Sequence, residues 1–518
     1  MNRPTEDRVQ GGRGAGIVVV GYGPAAHRLV ERLAHHGSIA PVTVLGAELE
    51  PAYNRPLLTA VLDGSLPAGS LRLPAPPPTT VVRLGVRAVT LDTRGRRVHT
   101  DDGDRVPYDR LVLATGAAPV VPDLPWARRS DGRLVDGVRP LRTLADADPH
   151  GDGTDPHTRT TARTTATASA VIGGGALGVE AALALRRRGH RVALVHRGPY
   201  PLDQHLDPRG GAALVGRLTA LGVDVRTGRT VRSRAPGLLT LDDGSPVDAD
   251  QVLLCVGARP RTDLARAAGL AVAAGVLVDH LLRTSDARIH AIGDCAEPLD
   301  GGGPFDRGGP LVGPGPTVRA PAGGFASAWE QAEALAVLLT GGRTPPPSGP
   351  RGVLRIKAEE LDLMRVGTPT GADETIVLGD AARGRYARLS LRGGRLTGAE
   401  TIGLGRAAAD VVRLHDGRTP VPADRLALLL GRTPAYAAAP RPATAVLCHC
   451  NTTTGNALAA AWRAGARTPE ALGEATRAGT GCGGCRADLR DLCEAWERGG
   501  APDTVTNDDA RPQEVGQR

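Results

Sequence analysis

The chain is 518 residues long, enough for three or four domains each with its own core. A net charge of +8 is dilute at this length and aromatic residues make up only 2% of the chain, which argues against nucleic-acid binding by base stacking. A single lysine, Lys357, stands against sixty-two arginines, a bias that strips individual arginines of diagnostic weight.

The first sixteen residues are polar and rich in Gly and Arg, with no apolar leader core, and no apolar run reaches the length of a membrane span. A cytoplasmic protein with neither a membrane nor a nucleic-acid partner is expected. Seven cysteines are too few for a disulfide scaffold at this length. Cys255 and Cys295 stand alone, whereas Cys448, Cys450, Cys482, Cys485 and Cys493 crowd the C-terminal end.

In chain order, Ile17 to Val20 reads as a buried parallel strand, Gly21-Tyr22-Gly23-Pro24-Ala25-Ala26 as a phosphate-binding turn, and Ala26 to Leu33 as the helix after it. Ala26 stands where a third glycine is usual, and that position needs only a small side chain. The strand Val42 to Leu45 leads to Glu48, a carboxylate placed to accept from ribose hydroxyls. The segment Tyr53-Asn54-Arg55-Pro56-Leu57-Leu58 and two β-like stretches, around Val81 to Leu91 and at Arg105 to Val106, come before LVLATG, a strand ending in Ala114, Thr115 and Gly116. Residues 123 to 169 hold Trp126 and a Thr/Asp/Gly-rich run, expected as an exposed insertion.

A second strand, turn and helix begins at Ala170, with Gly173, Gly175 and Gly178 in the turn and Glu180 just inside the helix. The strand Val192 to Val195 ends on His196-Arg197. A carboxylate at that point suits the 2′-hydroxyl of NADH, so this pair leans toward the 2′-phosphate of NADPH and leaves the choice open. The strand Val252 to Val256 closes on Gly257, and AIGDC places Gly293 and Asp294 after another strand, where a carboxylate suits the ribityl hydroxyls of FAD.

Four ordered motifs, GYGPAA, LVLATG, GGGALG and AIGDCAE, resemble the pyridine nucleotide–disulfide reductase superfamily in its ferredoxin-reductase and nitrite-reductase branches. The resemblance covers about residues 16 to 340. It implies an α/β fold with two Rossmann-like dinucleotide-binding domains in three layers, FAD on the first and NAD(P)H on the second. The segment AYNRPLL is similar to the family's loop near the flavin ring. The lysine frequent there is replaced by Thr59-Ala60, so Glu180, its usual partner, turns to Arg55 or to the nicotinamide. These two residues are the catalytic candidates that the resemblance implies. No cysteine pair stands in this half, which excludes a disulfide-reductase relay.

A Gly/Pro-rich loop, Gly301 to Gly324, leads into the helix Ala326 to Leu339, whose Trp329, Glu330 and Gln331 correspond to the helix start that approaches the flavin in the family. TPPPSGP, Thr344 to Pro350, marks a boundary. Four short strands and a helix at Ala407 to Leu414 resemble the small α+β interface domain of the same flavoproteins, and VLRIKAEELDLMRVG is similar to the nitrite reductase large subunit.

Near the end, Cys448-His449-Cys450 and Cys482-Gly483-Gly484-Cys485 form a C-x-C and C-x-x-C pair, a ligand set that suits a 2Fe-2S cluster or tetrahedral zinc equally by spacing. VLCHCNTTTG and RAGTGCGGC resemble the small helical bacterioferritin-associated-ferredoxin-like module, which implies a 2Fe-2S cluster. The expected boundaries are 1–15 as an unstructured start, 16–125 and 246–343 as the two parts of the FAD domain, 126–169 as a linker, and 170–245 as the NAD(P)H domain. After them come 351–435 as the interface domain, 444–497 as the cluster module and 498–518 as a polar tail. With no further cysteine cluster before residue 518, the layout resembles the electron-transfer subunit of assimilatory nitrate reductase, which implies a separate molybdenum catalytic subunit as partner. A ferredoxin or rubredoxin reductase, and an iron-handling or redox-sensing module, are the alternatives.

Overall fold

A computed structural model of the chain describes residues 15–147, 167–299, 325–343, 353–356, 358, 360–431, 446–448, 453–479 and 485–499. Outside them lie both termini, most of the Thr-rich run, the Gly/Pro-rich loop, the TPPPSGP linker, Lys357, His449, Cys450 and Cys482 to Gly484. The chain divides into two compact units, Met1–Asn54 with Leu71–Ala118 and Ala258–Pro350, and Arg55–Ser70 with Pro119–Gly257 and Arg351–Arg518.

The first unit is built on a parallel sheet whose strands run, in spatial order, Ile289–Ala291, Arg110–Leu113, Ile17–Val20, Val42–Gly46 and Thr80–Leu84. Ile17 lies opposite both Val42 and Arg110. The central strand is buried on both faces, which is why IVVV is apolar without alternation. Pro24 opens the helix Pro24–His35, where its missing N–H costs nothing, and the buried Ala26, Leu29, Val30 and Leu33 form one stripe. Each fully buried leucine there contributes about 2 kcal/mol. This helix packs on Phe325–Leu339. The β-like stretch expected around Val81 to Leu91 is two strands: Thr80–Leu84 closes the parallel sheet, and Ala88–Asp92 starts a meander with Arg97–Thr100 and Arg105–Pro107.

The second unit repeats the architecture. Its parallel sheet runs Val223–Thr227, Arg191–His196, Ala168–Ile172, Gln251–Leu254 and Val138–Pro140. The last of these comes from the segment read as an insertion: Val138 pairs with Val252, and Ala127 in the same segment is fully buried. The helix Ala176–Arg187 follows the glycine turn, and the next, Pro208–Ala220, is capped by Asp207, whose carboxylate accepts from the Gly210 N–H at 2.7 Å.

Residues 354–402 of the same unit form an antiparallel sheet in the order Leu354–Arg355, Leu363–Gly367, Arg395–Ile402, Arg385–Arg392, Glu374–Asp380, covered by the helix Gly405–Asp416. Leu363–Gly367, inside VLRIKAEELDLMRVG, is a strand that the sequence reading did not separate. At the C-terminal end a two-stranded ribbon, Val446–Cys448 with Thr453–Thr454, precedes the helices Gly455–Arg463, Pro469–Thr476 and Arg486–Gly499. Trp462 and Trp496 meet edge to face at 5.5 Å to form the centre of this small helical module. Among the described residues no helix is long and apolar enough to cross a membrane.

Candidate functional site

Two glycine turns stand at the C-terminal ends of the two parallel sheets, where open α/β sheets bind their ligands. In the first unit Gly21 has φ of 103°, and a Cβ there would lie 2.2 Å from the Ala114 carbonyl oxygen. Only glycine lets the first strand and LVLATG come this close. Gly23 is the N-cap residue of a twelve-residue helix and offers no side-chain cap, so the first-turn N–H groups stay open to an anion. Ala26, in the third-glycine position, is fully buried.

A Cβ on Gly293 would stand 3.1 Å from the Ala25 Cβ, so the GYGPAA and AIGD motifs are neighbours. Asp294 is half-buried in the turn Gly293–Cys295. Thr115 Oγ1 donates to the Arg261 carbonyl at 2.9 Å, and Gly116 takes a φ of 66°. Glu48 accepts a 2.7 Å hydrogen bond from the Tyr53 hydroxyl. Gln331 is 5% exposed, and its Oε1 accepts from the Gly293 N–H at 2.7 Å. Trp329 is buried, with the Arg28 guanidinium 5.0 Å over its ring. Cys295 is fully buried, its Sγ directed at the Ile292 and Leu113 carbonyls at 3.3 and 3.4 Å, and burial pushes the thiol pKa up, as befits a packed residue.

The second turn is tighter. Gly173 has φ of 111° and a Cβ there would meet the Cys255 carbonyl oxygen at 2.4 Å, while one on Gly178 would meet the Gly173 oxygen at 1.9 Å. Gly175 caps the helix without a side-chain bond and has open space around it. Gly257, with φ of 109°, carries a carbonyl that accepts from the Val120 N–H. His196 ends its strand with Nδ1 accepting from the Gly174 N–H at 3.1 Å, and Arg197 beside it is exposed. Glu180 is 3% exposed inside the helix. Arg55 directs Nη1 to the Arg142 carbonyl at 3.1 Å. Thr59, standing near where the family carries its lysine, is buried.

Of the four expected cluster ligands, Cys448 and Cys485 are described and both are buried, at 0% and 5% exposure. The Gly479 N–H points at Cys485 Sγ across 3.0 Å. A buried sulfur that receives an N–H suits a thiolate ligand, whose charge the donor offsets.

The two glycine turns therefore fit two dinucleotides, and the two described cysteines suit thiolate ligands. The profile of the pyridine nucleotide-disulphide oxidoreductase family matches residues 15–320, and that of the BFD-like [2Fe-2S] binding domain matches residues 446–495. The chain belongs to the pyridine nucleotide-disulphide oxidoreductase family. This member is an FAD-dependent NAD(P)H oxidoreductase with a 2Fe-2S domain. It is 28% identical over 501 residues to "Nitrite reductase [NAD(P)H]" of Bacillus subtilis (strain 168), covering 92% of this chain and 57% of the relative. It is 26% identical over 495 residues to the "Assimilatory nitrate reductase electron transfer subunit" of the same strain, covering 92% of this chain and 59% of that one. The chain thus spans a little under three-fifths of the length of both. Among solved structures it resembles the covalent putidaredoxin reductase–putidaredoxin complex, with a TM-score of 0.65 and 27% identity over 79% of this oxidoreductase and 95% of that chain.

Sequence reasoning did not reach Asp203, and it took Tyr53 and Gly174 only as members of the AYNRPLL and GGGALG stretches, without the hydrogen bonds they make. Gln331, expected at the helix start that approaches the flavin, holds the Gly293 turn.

Proposed function

We propose that this chain is the electron-transfer component of an assimilatory nitrate- or nitrite-reducing system, taking electrons from NAD(P)H and delivering them to a separate acceptor protein, which in the nitrate case is a catalytic subunit that carries molybdenum. The observation that carries the reading is the presence in one chain of two glycine turns, Gly21 against Ala114 and Gly173 against Cys255, together with a buried, N–H-facing Cys485. Bound FAD supplies the exchange between the two-electron hydride chemistry of a nicotinamide and the one-electron chemistry of a 2Fe-2S cluster.

In this reading Gly21, Gly23, Pro24, Ala25 and Ala26 approach the FAD pyrophosphate, Glu48 accepts from its adenosine ribose, and Asp294 with Gly293 accepts from its ribityl chain. Ala114, Thr115 and Gly116 keep the backbone close beside it. Gly173, Gly175 and Gly178 hold the NAD(P)H pyrophosphate, with His196, Arg197 and Gly257 around the rest of that nucleotide. Glu180 and Arg55 act at the nicotinamide end. Cys448, Cys450, Cys482 and Cys485 ligate the cluster, and the Gly479 N–H offsets charge on one of its sulfurs. The similarity over 92% of the chain to a relative named as a nitrate reductase electron transfer subunit supports the choice of partner.

The putidaredoxin reductase likeness favours a second reading, a reductase for small iron–sulfur carriers. It leaves the C-terminal module without a task, since that likeness covers 79% of this chain.

The test is an anaerobic titration of the purified protein with NADH and with NADPH, followed by absorbance and EPR. Flavin bleaching followed by a reduced 2Fe-2S signal is expected. The reduced protein is then mixed with a purified molybdenum nitrate reductase subunit and, in parallel, with a ferredoxin. Faster oxidation by the ferredoxin would replace the first reading by the second, and a C-terminal module that binds zinc with no EPR signal would sink the first and leave the second standing.

A further inference from the structure

The loop after the second strand of the nucleotide sheet folds back on the glycine turn. Gly174 is engaged at both backbone groups: its N–H donates to His196 Nδ1 at 3.1 Å, and its carbonyl accepts from the Leu202 N–H at 2.8 Å. A ring nitrogen that accepts carries no proton, so this imidazole is neutral and holds its proton on Nε2. That Nε2 is buried, with Asp203 Oδ2 3.6 Å away. Gly198 makes the approach possible, because a Cβ there would stand 2.0 Å from Asp203 Oδ2 and 2.7 Å from His196 Nε2.

In sheets of this kind the end of the second strand faces the adenosine ribose, where a carboxylate accepts from a 2′-hydroxyl and a cation accommodates a 2′-phosphate. His196 occupies that end without a charge, and Asp203 brings a carboxylate in from the loop. The arginines on and just past the next strand are spoken for: Arg226 pairs with Asp224 at 2.9 Å and Arg229 with Asp243 at 2.6 Å. Arg197 is exposed, where solvent and salt weaken its pull on an anion.

Building on the reading of Gly173 to Gly178 as the NAD(P)H turn, we infer that Asp203, presented by His196, selects the 2′-hydroxyl of NADH against the 2′-phosphate of NADPH. The phosphate would enter beside a carboxylate, and like charges brought together oppose binding. His196 then works as a positioning residue. This reverses the lean toward NADPH that His196-Arg197 suggests in the sequence.

Calorimetric titration of the full FAD-loaded chain with NAD+ and NADP+ tests selection without reducing the flavin, and stopped-flow reduction by NADH and NADPH reads the same choice in turnover. The wild type is expected to bind NAD+ about tenfold more tightly or better, and Asp203→Asn to narrow that ratio about tenfold, chiefly by gaining NADP+. Because the ratio is taken on one preparation, a loss of folded protein cancels. His196→Gln narrows the ratio too, through the freed carboxylate. An unchanged ratio in Asp203→Asn, or a wild-type NADP+ preference that Arg197→Ala removes, would overturn the inference. NAD+ selectivity that responds to Asp203→Asn, with no flavin reduction by either nucleotide, sinks the electron relay and upholds this selection; binding of neither nucleotide sinks both.

Discussion

The Tyr53 hydroxyl donates to Glu48 Oε2 at 2.7 Å, and Tyr53 is itself 2% exposed. Its backbone is pinned on both sides, because the Asn54 N–H donates to the Leu71 carbonyl and the Leu73 N–H to that of Ala52. A carboxylate held by a buried phenol loses little freedom when it meets a ribose. A hydrogen bond to a charged group is worth about 1.5–3 kcal/mol. Tyr53→Phe is therefore expected to weaken FAD binding about tenfold or more. Riboflavin, which lacks the adenosine, should bind as before. Reconstitution of the apoprotein with both flavins checks this, and an equal loss for the two would mean that Tyr53 only supports the fold.

The two glycine turns should fail separately. Gly21→Ala places a Cβ 2.2 Å from the Ala114 oxygen, and Gly173→Ala places one 2.4 Å from that of Cys255, each at a φ above 100°. The first variant is expected to purify without flavin colour. The second should keep its flavin and lose reduction by NAD(P)H, as flavin absorbance and stopped-flow reduction would reveal.

Gln331 is the acceptor for the Gly293 N–H. Gln331→Leu leaves that amide unsatisfied in a part-buried turn, at a cost of about 1–3 kcal/mol. A lower Tm and faster FAD loss are expected. Gln331→Glu, which keeps an acceptor, should recover most of the Tm; if the leucine variant melts like the wild type, the bond contributes nothing.

His290 sits in the strand Ile289–Ala291, 5% exposed, and its pKa is pushed down to about 4, first by burial and then by the Arg110 charge. A base whose folded pKa lies below its unfolded value of about 6.5 adds stability that is complete above that value and is lost as pH falls toward 4. The loss across this window is about 3 kcal/mol. Urea unfolding between pH 7 and about 4 should show it as a slope that His290→Gln removes. Parallel slopes in the two proteins would assign the acid sensitivity to other groups.

The amino-acid sequence by itself determined the two glycine turns, the continuous apolar strands that precede them and the paired cysteines near the end. Those features are local. A φ near 100° beside a crossing backbone leaves only glycine, as at Gly21 and Gly173, and a strand buried on both faces has no polar alternation, as in IVVV. The turn residues Gly293 and Asp294 were readable from their place in the order of motifs, after a strand and after the two glycine turns.

Tertiary structure alone decided what reaches those turns from far along the chain. Gln331 meets Gly293 across 38 residues of sequence, and Val138–Pro140 joins a sheet whose neighbouring strand begins at Gln251. Neither pairing leaves a periodic signal, because a lone acceptor or a three-residue edge strand is specified by what packs against it. His196 shows the difference most sharply. Its identity as a cationic side chain was legible, but its tie to the Gly174 N–H makes it a neutral acceptor and hands the charge at that end of the strand to Asp203.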